Sequence, residues 1–224
     1  VHLSKPTYLI LMGCFPQSFG GKKMTTQTYA VKRTVFDTKN LIIMALLCAL
    51  SIVLVYLIHL PLIPAAPFLE YDPADIPILI GTFLFGPGVG IILTLVVSVI
   101  QGLTVSAASG VIGIVMHFEA TGCFVIVAGL IYHKKKTLGR AIVATILGVI
   151  VMTAAMVGMN LFLTPIFMGQ PMETVIAMLL PAIIPFNLIK AGLNGVIALL
   201  VFKTLSGVVF PKIASHKQGK QKTE

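Results

Sequence analysis

Between Leu41 and Leu205 the chain passes through one long apolar run after another, and almost all of its lysines and arginines fall between or outside those runs. A bilayer crossing needs about 20 apolar residues. In lipid every backbone N–H and C=O must find a partner inside the chain, so runs of this kind fold as helices. Composition agrees: of 224 residues, 57% are apolar and 10% charged, with a mean hydropathy of +1.02. A soluble domain carries roughly 25% charged residues. A water-soluble globule and a disordered chain are therefore excluded. The length holds at most about eight spanning helices and leaves no room for a soluble ATPase or kinase domain.

The runs read as six spans. The first is Leu41–Ile58, closed by His59, Pro61 and Pro64, since proline stops a helix. A loop, Leu60–Asp75, carries Glu70, Tyr71, Asp72 and Asp75. The run Ile76–Gln101 contains Gly86-Pro87-Gly88 and divides there into two short helices, Asp75–Phe85 and Val89–Gln101; one kinked helix is the alternative. The polar stretch Gly102–Ser109 precedes a fourth span, Gly110–Tyr132, and a fifth, Arg140–Leu163. A loop at Thr164–Glu173 leads to a sixth span, Val175–Leu205, interrupted by Pro181 and Pro185.

Charge tests the count. The 16 lysines and arginines form three clusters and one outlier, Lys190. With six spans, the two termini and the Lys134–Arg140 loop share one side. Every cluster is then cytoplasmic, and the loops on the other side contain no lysine or arginine. Five spans would put Lys134–Lys136 opposite the N-terminal cluster. The positive-inside rule selects six, with both termini cytoplasmic. The expected fold is an all-α integral membrane protein, a compact bundle of six transmembrane helices over 41–210. A cytoplasmic segment, 24–40, precedes it and a basic cytoplasmic tail, 211–224, follows. Gly20-Gly21-Lys22-Lys23-Met24 is what a translated ribosome-binding site and start codon would give, so 1–23 is expected to be a translated leader or disordered.

Cys14, Cys48 and Cys123 are odd in number and lack close spacing, which speaks against a disulfide framework and a zinc site. No HExxH or GxxxxGK[ST] pattern occurs, and His117 and Glu119 are two residues apart, so they point to different helix faces. No metal or cofactor is expected, nor a nucleic-acid partner, because the basic residues flank membrane spans.

Lys190 is the most informative residue. An ammonium within a span costs about 2.5–3.5 kcal/mol on insertion scales, so it should pair with a carboxylate or face a polar cavity. Asn187 shares its helical face, three residues away, and Asn160 lies near the end of the fifth span. Two amides and an ammonium supply donors and acceptors that suit a flat heterocycle with carbonyls, ring nitrogens and an imide N–H. Bonding between asparagines across helices is the plainer alternative. Phe68-Leu69-Glu70-Tyr71-Asp72 could lie over such a pocket and bond a polyol chain. Asp72 and Asp75 also read as solvated carboxylates, with Asp75 capping the second helix. Ala45 and Ala49, four apart on the first span, permit close approach of another helix.

Taken together, Ala45-x-x-x-Ala49, Phe68-Leu69-Glu70-Tyr71-Asp72, the run from Asp75-Ile76-Pro77 to Gly86-Pro87, and Asn160 with Pro185-Phe186-Asn187-Leu188-Ile189-Lys190 resemble the S components of energy-coupling factor (ECF) vitamin transporters, and among them the riboflavin type. The resemblance covers about 35–210. It implies a six-helix bundle in the bacterial plasma membrane that binds riboflavin near the outer face and transforms nothing. Asn160, Asn187 and Lys190 match positions that hold the flavin ring. The loop of Glu70, Tyr71 and Asp72 would close over the ligand and touch its ribityl chain. Ala45 and Ala49 match the surface that docks on the transmembrane coupling subunit, EcfT, with two ATP-binding cassette ATPases supplying energy. Membrane lipid is the remaining partner. The rival readings are an S component for another vitamin, a proton-coupled secondary transporter using Lys190 and Glu119, and a membrane enzyme using His117 and Glu119.

Overall fold

The computed structural model describes residues 35–64 and 66–209. The readings made for 1–23, for most of 24–40 and for the tail 211–224 lie outside the described residues.

The described chain is helical apart from its connections and a ribbon of two short strands. Its elements are α1 (Thr38–Leu57), β1 (Leu60–Pro61), β2 (Glu70–Tyr71), α2 (Asp75–Phe85), α3 (Pro87–Leu103), α4 (Gly110–Lys134), α5 (Leu138–Met168), α6 (Met172–Met178) and α7 (Ile184–Val209). Among the described residues four stretches are long and apolar enough to cross a bilayer: Thr38–Leu57, Ala107–Lys134, Leu138–Met168 and Met172–Leu205; α2 and α3 are shorter apolar helices.

Helix α2 is the centre of the bundle. Every residue from Asp75 to Phe83 is buried, which is why its sequence is apolar on all sides. The chain then turns back at Gly86, whose φ of +107° only glycine adopts freely. After the turn, Gly90 lies against the Thr82 side chain and Gly81 against Leu93. Pairing of that kind needs antiparallel helices, so Asp75–Leu103 is a hairpin and not one kinked helix. A side chain at Gly90 would drive Thr82 and Val125 away. Phe83, Phe124, Leu79, Leu93 and Met152 fill the space around α2 and are fully buried.

Helix α1 is the opposite case. Leu46, Tyr56 and Leu57 are more than 60% exposed, a contiguous apolar face that soluble monomers avoid and lipid accepts. Ala45 and Ala49 lie among these exposed residues.

Three expectations need correction. The fifth helix does not end at Leu163. It continues through Pro165 to Met168 and closes at Gly169, φ +62°. A proline removes one ladder bond, but membrane helices absorb the loss locally. Helix α5 begins at Leu138, where the Thr137 hydroxyl accepts the Arg140 amide at 3.4 Å. The break expected at Pro181 is a π-helical turn, Leu179–Ile183, between α6 and α7, so the chain bulges without leaving the helical path. Asp75 does not cap α2. Ala74 occupies that position, and Asp75 and Asp72 are buried, 1% and 2% exposed, where solvated carboxylates were expected.

Candidate ligand-binding cavity

The segment between α1 and α2 folds inward. Its β-ribbon pairs Leu60 with Tyr71 and Pro61 with Glu70. His59 Nε2 stands 2.8 Å from Glu70 Oε2 at the ribbon's base. Beneath lies a partly open cavity of about 130 Å³. Phe68, Phe167, Phe186, Met152 and Met156 supply apolar wall, and Glu70, Asp72, Gln101, His117, Asn187 and Lys190 supply polar wall. The ring centroids of Phe68 and Phe167 lie 6.4 Å apart, with the planes tilted by 60°. The extension of α5 past Leu163 is what brings Thr164 and Phe167 to this wall.

Asn187 and Lys190 share a face of α7, as their spacing predicts, and both line the cavity. The Asn187 amide donates to the Ile183 carbonyl at 2.8 Å, within the turn that Pro181 and Pro185 open. Lys190 Nζ donates to Asp72 Oδ2 at 2.8 Å. This is the pairing a buried ammonium requires, and it joins the loop to α7. Asp72 Oδ1 accepts the Ala74 amide at 3.1 Å. Burial pushes the Asp72 carboxyl up, but the Lys190 ammonium, aided by His117, outweighs it and holds the group below the usual carboxylate range.

Two of the expected site residues do not reach the wall. The Asn160 amide donates to the Met156 carbonyl and its oxygen accepts from Thr164 Oγ1, both at 2.8 Å. Asn160 is fully buried behind Thr164, which does line the cavity. Tyr71 turns inward, and its hydroxyl donates to Asn194 Oδ1 at 3.0 Å.

Asn194 was missed in the sequence, although it continues the 187, 190 face by one further turn. Its amide donates to the Asp72 carbonyl at 3.0 Å and to Asp75 Oδ2 at 2.9 Å. Asp75 Oδ1 accepts from Thr121 Oγ1 at 2.6 Å and lies 3.6 Å from His117 Nε2. His117 Nδ1 is 2.7 Å from Ser98 Oγ. Gln101 reaches Asp72 Oδ2 from α3 at 3.4 Å. No short-range signal marks Ser98, Gln101 or Thr121, whose partners are distant in the chain. Glu119 points away from the cavity, as its spacing from His117 predicts, and accepts from Cys123 Sγ at 3.4 Å.

The arrangement is a helical membrane protein whose charged groups converge on a partly open hollow with aromatic walls. The chain belongs to the family described as ECF transporter, substrate-specific component, whose pattern matches residues 39–202. It is a multi-pass bacterial membrane protein. It is 31% identical to the riboflavin transporter RibU of Streptococcus thermophilus over 77% of this chain and 85% of that one. It is 30% identical to RibU of Staphylococcus aureus over 76% and 92%, and 25% identical to the riboflavin transporter FmnP of Bacillus subtilis over 80% and 97%. A solved S component of a bacterial ECF transporter superposes with a TM-score of 0.68 at 31% identity, covering 77% of this chain and 98% of that one. These relatives are transport components, not enzymes.

Proposed function

We propose that this chain is the riboflavin-binding subunit of an ATP-driven ECF importer. The observation that carries the reading is the Asn187–Lys190 face of α7, turned into a cavity with aromatic walls, in a chain about 30% identical to riboflavin transporters. Lys190 has three donors and spends one on Asp72, so the others are available to a ring carbonyl. Asn187 contributes an amide beside it, and Asn160 fixes Thr164 from behind. Glu70, Tyr71 and Asp72 belong to the loop that closes over the ligand.

The bundle of 41–210 crosses the membrane six times in this reading. The short α2–α3 hairpin supplies two of the crossings, and both termini are cytoplasmic. The asymmetry of lysine and arginine between the loops supports that topology. Ala45 and Ala49, exposed on α1, form the surface for EcfT, which links the subunit to two ATPases. Riboflavin enters at the outer face and leaves on the cytoplasmic side.

Uptake of labelled riboflavin by cells tests this. Cells producing the chain should import riboflavin only when the coupling subunit and ATPases are also present. Ala49→Leu should abolish uptake while leaving riboflavin binding intact. Uptake that persists without the ATPases and follows the proton gradient instead would overturn the importer reading in favour of a secondary transporter.

A further inference from the structure

Three polar atoms on the cavity wall have no hydrogen-bond partner among the described residues: His59 Nε2, Gln101 Oε1 and His117 Nε2. His59 Nε2 is met by the Glu70 carboxylate at 2.8 Å, which leaves Gln101 and His117. Both belong to residues that line the hollow on the α3–α4 side. Gln101 is 6% exposed, and the His117 side chain 10% exposed. An unpaired buried polar atom is costly, so each points to something that completes it.

The chemistry of the completing group follows from the neighbours. The Gln101 amide nitrogen is directed at Asp72 Oδ2 and Ser106 Oγ, 3.4 Å from each. Flipping the amide would set its oxygen against the Asp72 carboxylate, so the orientation is fixed and Oε1 is left as an acceptor. His117 Nδ1 is engaged by Ser98 at 2.7 Å. The Asp75 carboxylate near Nε2 favours the tautomer that carries the proton there, yet 3.6 Å is too long for a direct hydrogen bond. The wall therefore offers one acceptor and one donor. A hydroxyl group satisfies both kinds at once, whereas a carbonyl serves only the donor and an N–H only the acceptor.

We infer that Gln101 and His117 form a hydroxyl-binding subsite, separate from the Asn187–Lys190 face, that takes the polyol chain of the ligand. The inference rests on the riboflavin reading above and adds to it: the ring is held from α7 and the chain from α3 and α4. Discrimination between a flavin with its ribityl chain and one without it thus belongs to Gln101 and His117.

Lumiflavin, the same ring with a methyl group in place of ribityl, tests the assignment. Dissociation constants for riboflavin and lumiflavin are measured by fluorescence quenching on the purified chain and on Gln101→Leu. The wild type should prefer riboflavin, and the ratio of the two constants should fall at least tenfold in the variant. His117→Gln provides an independent reading of the same ratio should Gln101→Leu fail to fold. A residue that only supports the fold would weaken both flavins together, so an unchanged ratio in the folded variant overturns the subsite. A wild type that binds both flavins equally overturns it as well, with the riboflavin function intact. A folded wild type that binds neither overturns both.

Discussion

The two ends of the bundle are built from different materials. Toward the loop end, helices α2, α4 and α7 carry Asp75, Thr121, Lys190 and Asn194, joined to one another and to the 59–74 loop by hydrogen bonds and an ion pair. The same helices finish with Phe83, Tyr132 and Phe202, whose rings pack at 5.2–5.6 Å. From His117 on the cavity wall to Tyr132 is about 22 Å along α4, so the contrast runs along the length of the bundle. Between helices in lipid, close packing and hydrogen bonding replace the hydrophobic effect as the glue. At the ring end the space between these helices is filled by Phe83, Tyr132 and Phe202, all buried. Bonding among a few long polar side chains holds the loop down while leaving space between them, and that end carries the cavity.

The comparison can be broken most strongly at the ion pair. Lys190→Ala leaves the Asp72 carboxylate buried without its partner, which should cost about 3–5 kcal/mol of stability. It should also weaken flavin binding at least tenfold, about 1.4 kcal/mol. Replacing both partners, Asp72→Leu with Lys190→Met, should recover most of the thermal stability in detergent and none of the binding. If the double variant binds like the wild type, the charged pair has no part in the site. At the far end, Phe83→Ala should lower stability by about 3 kcal/mol through the cavity it leaves, with the riboflavin dissociation constant unchanged. A matching loss of affinity there would mean the two ends are not independent. The smallest effect is expected for Tyr71→Phe. It removes one buried hydrogen bond between loop and α7, about 1 kcal/mol, and stopped-flow release should quicken roughly fivefold.

Periodicity and charge placement made much of the frame legible. The hairpin at Gly86 and the shared face of Asn187 and Lys190 followed from glycine, proline and helical spacing. The reach of α5 did not, because Pro165 reads as a stop. In the structure it sits within the last turns of a helix that carries Thr164 and Phe167 to the cavity. Asp72 and Asp75 looked solvated because acidic residues in a loop usually are. Their partners Lys190 and Asn194 lie 118 and 119 residues away, and no local pattern reveals that the loop folds inward. Helical spacing likewise gives the face of α5 on which Asn160 lies but not the hydrogen bonds it makes to Met156 and Thr164.

The most direct measurement is a riboflavin titration of the purified chain alone in detergent, followed by quenching of flavin fluorescence. The account predicts tight one-to-one quenching without any coupling subunit or ATPase, and yellow flavin carried through purification. No quenching by a protein shown to be folded would contradict the assignment of riboflavin to this cavity.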